Sequence, residues 1–398
     1  MLNNDNKMSR RNVLKVAGAS VATAAGSGLA AAKSDDTVEV NVGFASGRGR
    51  QKALATADDV VREFDSIDVV TIRAAKRAVQ ALDKNPNIRY VEENGTMHAL
   101  AQTLPWGQDR VDSDVLHANG ELGSGADIAI IDTGIDDDHP DLTDHLGKGK
   151  AFVSCNTKGG CRYGAKPADN TCNYSWTDDN NHGTHCAGIA AGDDNSQGIV
   201  GAAPDATLHA VKVLDKCGSG TYSDIAAGVE YVADQGWDVG SMSLGASSGS
   251  SALKDAVEYA TNEGVFLVAA AGNSGPCSDC VGYPAAYSEV MAVSSTASDD
   301  SLSDFSSTGP EIEIAAPGTD IYSTIASNAG YDTYSGTSMA TPHVAGVAGQ
   351  LASNGTTGSD IRTQLKNTAE NVGLASNESG AGLLDAAAAL GYDSSDDT

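Results

Sequence analysis

From residue 101 onward the chain alternates short apolar runs with helical stretches, and this alternation limits its possible folds more than any other feature. The runs include Ile128 to Ile131, Thr207 to Val213, Val265 to Ala270 and Val290 to Val293. The last three are continuous apolar segments of strand length, the pattern of strands covered on both faces. Helical periodicity lies between them, for instance at Ser223 to Ala233 and Ser251 to Asn262. The pattern predicts an α/β domain with a doubly wound, mostly parallel sheet, whose site should form at the carboxyl ends of the strands.

The preceding residues read differently. Ser9-Arg10-Arg11-Asn12-Val13-Leu14-Lys15 is followed by an uncharged small-residue stretch ending in Ala30-Ala31-Ala32, which looks like a twin-arginine export signal over residues 1–32. The stretch is too short and weakly apolar for a permanent membrane span, so a secreted protein with no membrane anchor is expected. Residues 33–100 contain no Cys and read as a small α+β unit. Strands are predicted at Val38 to Phe44, Ile67 to Ile72 and Ile88 to Glu92, with helices from Lys52 to Phe64 and from Ala74 to Lys84.

Charge excludes one class of partner. The 398 residues hold 53 acidic and 25 basic side chains, a net charge of −28, so binding that relies on neutralising phosphates is not expected and nucleic acid is an unsuitable ligand. The imbalance belongs to residues 101–398, which carry 41 acidic and 11 basic side chains. Asp outnumbers Glu 40 to 13 and aromatics make up 5%, a composition that resembles proteins of halophiles, whose hydrated carboxylates keep a surface soluble in concentrated salt. The alternative is an acidic secreted protein from an ordinary medium.

Three segments carry nucleophilic chemistry. Ala129-Ile130-Ile131-Asp132-Thr133-Gly134 ends an apolar strand on a carboxylate; Asn181-His182-Gly183-Thr184-His185 places an imidazole at the start of a small-residue helix; Gly336-Thr337-Ser338-Met339-Ala340 opens a helix with a hydroxyl. A serine needs a base within hydrogen-bond reach, and the base needs an anion to fix its tautomer. Asp132, His182 and Ser338 supply those types. In Ala271-Gly272-Asn273 a strand ends on a side-chain amide able to donate to a developing oxyanion. Asp-Thr-Gly also occurs in aspartic proteases, but these need two facing copies and the chain has one. The His-Gly-Thr-His run lacks the Glu and the spacing of a zinc protease.

With these four motifs in Asp, His, Ser order, the chain resembles the subtilase family and is similar to its halolysin branch. The resemblance implies a subtilisin-like serine endopeptidase that forms an acyl-enzyme on extracellular proteins and peptides. Asp132 would be the orienting acid, His182 the general base, Ser338 the nucleophile and Asn273 the oxyanion donor. A catalytically inactive peptide-binding module of the same family, or an aspartic protease, would be the alternatives. Further segments match substrate-binding edges: Gly218-Ser219-Gly220 on one side and Ser243-Leu244-Gly245 on the other, with Ala270, Gly272 and Gly282 completing the pocket for the residue before the scissile bond. Ser241 departs from the Asn usual in the family. Residues 33–100 would be an inhibitor-like propeptide that assists folding, removed by cleavage between Leu100 and Ala101, leaving a peptidase over residues 101–398 that is expected to be a monomer.

The resemblance also implies Ca2+, held by side chains of Gln102, Asp141 and Asn195 with carbonyls of Asp193, Gln197 and Ile199, and a weaker cation position at Glu313. Asp193-Asp194-Asn195-Ser196-Gln197-Gly198 has the oxygen-rich turn character a hard cation needs, although a solvated acidic loop would read the same way. Seven Cys allow at most three disulfides. By resemblance to proteinase K-like enzymes Cys186 is the odd thiol, buried beneath the catalytic His. Cys277 and Cys280 suit a local bridge, and Cys155, Cys161, Cys172 and Cys217 remain unpaired by sequence.

Overall fold

The computed structural model describes residues 37–64, 66–94, 102–161, 168 and 170–394. The expected export signal and the Leu100–Ala101 junction lie outside the described residues. The chain divides into two compact units, residues 1–99 and 100–398.

In the first unit β1 (Thr37–Phe44), α1 (Gly47–Thr56), β2 (Asp59–Glu63), β3 (Val69–Ala75), α2 (Lys76–Leu82) and β4 (Ile88–Glu93) follow in order. They build an antiparallel sheet ordered β2-β3-β1-β4. Val40, Val42, Phe44 and Ile72 of the sheet pack with Ala53, Val79 and Leu82 of the helices. The helix expected from Lys52 to Phe64 is two elements. Ser46 caps α1 by accepting from the Gly49 N–H, Ala57 turns extended, and Val60 then enters β2 opposite Ile72. The apolar spacing of Leu54, Ala57, Val60, Val61 and Phe64 imitates a helix across that break, whereas the β-branched pair prefers the sheet.

The second unit opens with α3 (Trp106–Arg110) and α4 (Ser113–Ala118) before β5 (Asp127–Asp132). After β6 (Lys150–Ala151) come α5 (His182–Ala191), β7 (Thr207–Lys212), α6 (Tyr222–Gln235), β8 (Val239–Met242), α7 (Ser251–Asn262), β9 (Phe266–Ala270), β10 (Met291–Thr296) and β11 (Ile312–Pro317). The hairpin β12 (Ile321–Ile325) and β13 (Gly330–Tyr334) leads into α8 (Thr337–Ser353), followed by α9 (Gly358–Thr368), α10 (Ser376–Ser379) and α11 (Ala386–Leu390). The main sheet runs β11-β10-β9-β8-β5-β7-β6, every pair parallel.

Strand residues alternate between two apolar layers. Ile128, Ile130, Leu208, Phe266 and Val268 face the layer containing α5 and α8, while Ala129, Ile131, Val211, Leu267 and Ala269 face the one containing α6 and α7. The period of two along each strand, with helices on both faces, produces the continuous apolar runs seen in the sequence. Strand order reverses at β5: β7 and β6 extend the sheet one way, β8 to β11 the other. Such a switch point splays the flanking loops apart and leaves a crevice at the strand ends. Asp132 is the last residue of β5. Among the described residues no helix is long and apolar enough to cross a membrane.

Candidate active site

Asp132 is completely buried, and its Oδ1 accepts the Thr133 N–H (2.7 Å) and the Nδ1–H of His182 (2.8 Å). His182 is the first residue of α5, with its side chain 27% exposed. Asp178 holds this helix start: its carboxylate accepts N–H groups from Asn180 (2.8 Å), Asn181 (3.2 Å) and Thr184 (2.9 Å), and the Thr184 hydroxyl (2.7 Å). A carboxylate among the free N–H groups of a helix N-terminus is favourable and orients the residue beside it. Burial by itself would lower the pKa of His182, but the charge of Asp132 and its hydrogen bond outweigh that cost and hold it above the ordinary 6.5.

Ser338 lies in the first turn of α8, where backbone N–H groups have no partner within the helix. Its hydroxyl donates to the Ser243 carbonyl (3.2 Å), and among the described residues no hydrogen bond joins it to His182. The Ser338 carbonyl accepts the Ser243 hydroxyl (2.8 Å) and the Cys186 thiol (3.5 Å). Asn273 follows β9 and is fixed by a residue the sequence reading missed. Thr337 donates to Asn273 Oδ1 through both its N–H (2.9 Å) and its hydroxyl (3.0 Å), while its hydroxyl oxygen accepts the Gly272 N–H (3.1 Å). With Oδ1 engaged, the amide NH2 becomes the available donor. A hydroxyl next to Ser338 was visible in Gly336-Thr337-Ser338, but its partner became evident only through the turn at Gly272, whose φ is +112°.

Cys186 is the free, buried cysteine, with its Sγ and ligand atoms of Asp132 and His182 all within 4.8 Å of one another. Burial pushes its thiol pKa well up, so it stays protonated and is a poor nucleophile. His185 and His343 are buried neutral imidazoles, with burial lowering their pKa values to about 3 and about 4.

Beside His182 opens a cleft of about 790 Å³, walled by Gly218, Ser219 and Gly220 on one side and Ser243, Leu244 and Gly245 on the other. Ala270, Gly272 and Gly282 do not line it. Ala270 ends β9, and Gly272 and Gly282 belong to an adjoining loop cluster in which the Gly282 N–H donates to the Ala271 carbonyl (2.8 Å), and Ala246 pairs with Tyr283 to join it to the Ser243–Gly245 edge.

The family profile described as the subtilase family matches residues 123–382, and a second, the fervidolysin N-terminal prodomain, matches residues 37–94. The chain belongs to the subtilase family. It is 42% identical over 317 residues to a thermostable alkaline protease of Halalkalibacterium halodurans, covering 79% of this chain and 81% of that protein. It is 38% identical to subtilisin E of Bacillus subtilis over 358 residues, 87% of this chain and 89% of that one. This subtilase is therefore a serine endopeptidase with an N-terminal prodomain, which sets aside the aspartic-protease alternative.

The residues expected around calcium come together in the subtilase. The Gln102 Nε2 donates to the carbonyls of Asp193 (2.7 Å) and Ile199 (3.1 Å). Asp141 Oδ2 accepts from the Ile199 N–H and the Tyr331 hydroxyl, whereas its buried Oδ1 has no partner among the described residues. Asn195 Oδ1 accepts the Gln197 N–H (3.1 Å). A Cβ on Gly198 would lie 1.9 Å from Asp141 Oδ2, so the turn must close on glycine. Glu313, the weaker cation position expected from the resemblance, is engaged by Arg362 and Lys366. The disulfides are Cys155–Cys172, Cys161–Cys217 and Cys277–Cys280.

Proposed function

We propose that this endopeptidase works through Asp132, His182 and Ser338, with Asn273 as oxyanion donor. The observation that carries the reading is the buried Asp132 carboxylate hydrogen-bonded at 2.8 Å to a half-open imidazole at the switch point of the sheet. Rotation of the Ser338 hydroxyl from the Ser243 carbonyl toward His182 Nε2 lets the imidazole take its proton as Oγ attacks the peptide carbonyl. The resulting oxyanion is received by the Asn273 amide and the Ser338 N–H. Collapse expels the amine with the proton held by His182, and water then releases the acyl group by the same route. The peptide would lie as an added strand between the Gly218–Gly220 and Ser243–Gly245 edges.

The enzyme is further proposed to be exported by the twin-arginine route, cleaved between Leu100 and Ala101 by its own activity, and adapted to high salt. Calcium fits the Gln102, Asp141 and Asn195 set. Asp141 Oδ1, without a hydrogen-bond partner among the described residues, offers a buried anionic ligand, and turning over the Gln102 amide would put its oxygen beside the carbonyls of Asp193 and Ile199. Bound there, calcium would tie residues 102, 141 and 193–199 together and take no part in peptide hydrolysis.

Substitution Ser338→Ala tests the central reading. The variant should lose casein hydrolysis and accumulate as the unprocessed chain, while the parent enzyme is inhibited by phenylmethylsulfonyl fluoride and begins at or near Ala101. Retained hydrolysis in Ser338→Ala would refute the assignment.

A further inference from the structure

The Gly218–Gly220 wall of the cleft is exposed and two of its three residues are glycine, so side-chain packing does little to hold its backbone. A turn built on Asp215 shapes its base: Asp215 Oδ1 accepts the N–H groups of Cys217 (2.8 Å) and Ser219 (3.1 Å), and the Asp215 N–H donates to the Ser219 carbonyl (2.9 Å). Several ties from this turn run to the segment between β6 and α5. Cys217 is bonded to Cys161, the Asn180 amide donates to the Lys216 carbonyl (2.9 Å), and the Lys216 ammonium donates to the carbonyls of Lys158 and Gly159.

That segment is itself held close to the catalytic base. Cys155 is bonded to Cys172, its N–H donates to the Ser175 carbonyl (2.8 Å), and the Asn156 N–H donates to Asp179 Oδ2 (2.6 Å), three residues before His182. We propose that the Cys161–Cys217 disulfide determines specificity for extended substrates by holding the Gly218–Gly220 edge ready to accept a peptide strand. This rests on the reading that the substrate lies along that edge.

Strand addition needs backbone N–H and C=O groups fixed in place before the peptide arrives, and ordering glycine-rich chain at the moment of binding would consume affinity. The covalent tie removes that ordering from the binding step. It bonds directly to none of the groups that do the chemistry: Ser338 and Asn273 are placed by α8 and by the turn after β9, and His182 by Asp132 and by the Asp178 carboxylate at the start of α5. The bridge should thus act on extended peptides and leave short substrates indifferent.

The experiment compares Cys161→Ser with the parent enzyme on a blocked single-residue ester, a dipeptide anilide and a tetrapeptide anilide. The tetrapeptide KM should rise roughly three- to thirtyfold in the variant, with its kcat and the ester kinetics within about twofold. An unchanged tetrapeptide KM, or equal losses on ester and tetrapeptide, would overturn the inference. In the parent enzyme the tetrapeptide should have a lower KM than the dipeptide; if it does not, the reading of the peptide edge fails first. Should Cys161→Ser not mature, thiol reduction of the native enzyme, with opening of this bridge followed by peptide mapping, makes the same comparison. Tetrapeptide KM rising in step with the loss of the bridge supports the proposal, and a KM that ignores it refutes it.

Discussion

His182 can act as a base only when neutral, and Asp132 favours its protonated form, so activity must be lost as pH falls through a pKa held above 6.5. The acid limb of kcat/KM should lie above that value. Asp132→Asn removes the charge, should move the limb down, and should lower kcat by on the order of 10⁴-fold by loss of the correct tautomer. A pH–rate profile checks both. In the proposed mechanism Asn273 donates to the oxyanion and Thr337 positions it. Asn273→Ala should cost roughly 10²–10³ in kcat with little change in KM. Thr337→Val, which keeps the N–H but removes the hydroxyl, should cost roughly tenfold, while Thr337→Ser should restore it, because one of two bonds orienting the amide is at stake. Steady-state kinetics of the three variants separate these outcomes. Asp132, His182, Ser338 and Asn273 stood out in the sequence because each sits in a distinctive short motif. Thr337 did not, since its value depends on a loop 64 residues away.

At the scale of the element, α8 shows how a helix is built to present Ser338, the proposed nucleophile. Pro342 lies within the helix and has no N–H, so the Ser338 carbonyl lacks its regular donor four residues on. Ser243 and Cys186 take that acceptor instead, tying the nucleophile's own backbone to the cleft edge and to α5. A second tie joins the ends of β5 and β7 to the chain entering α5. Lys212, wholly buried, donates to the Thr133 carbonyl (2.5 Å), Asp179 Oδ1 (2.6 Å) and the Leu214 carbonyl (3.0 Å). Lys212→Met would strand the buried Asp179 carboxylate and should destabilise the enzyme by roughly 3–5 kcal/mol. Lys212→Met with Asp179→Asn should recover part of that loss, since no uncompensated charge remains. Denaturant unfolding of both variants decides, and a double variant no better than the single would argue against the ion pair as the cause. Periodicity predicted α7 at its observed bounds because one apolar face packs on the sheet. It misjudged β2, where alternation and helical spacing coincide over a few residues.

The acidic excess is a property of residues 101–398, and under the proposed salt adaptation it concerns the solvent around the enzyme more than its substrate. At molar salt, screening shortens to about 3 Å, so repulsion among these carboxylates should fade and stability should rise with salt. Calcium acts locally and differently: at 100–1,000 times its dissociation constant it would add about 3–4 kcal/mol, so chelation should lower the melting temperature by roughly 5–15 °C. Melting curves with and without chelator, at low and molar salt, check both effects, and a curve indifferent to chelation would count against the Gln102–Asp141–Asn195 site. The sequence by itself determined the layered α/β architecture, the residue types at the site and the odd thiol, because apolar period and short motifs are local properties. The tertiary structure decided the pairing of Cys155 with Cys172 and Cys161 with Cys217, the engagement of Glu313 by Arg362 and Lys366, and the support of Asn273 by Thr337. Each of these depends on which distant segments the switch point at β5 and the loops around it bring within a few ångströms, a relation that spacing along the chain does not carry.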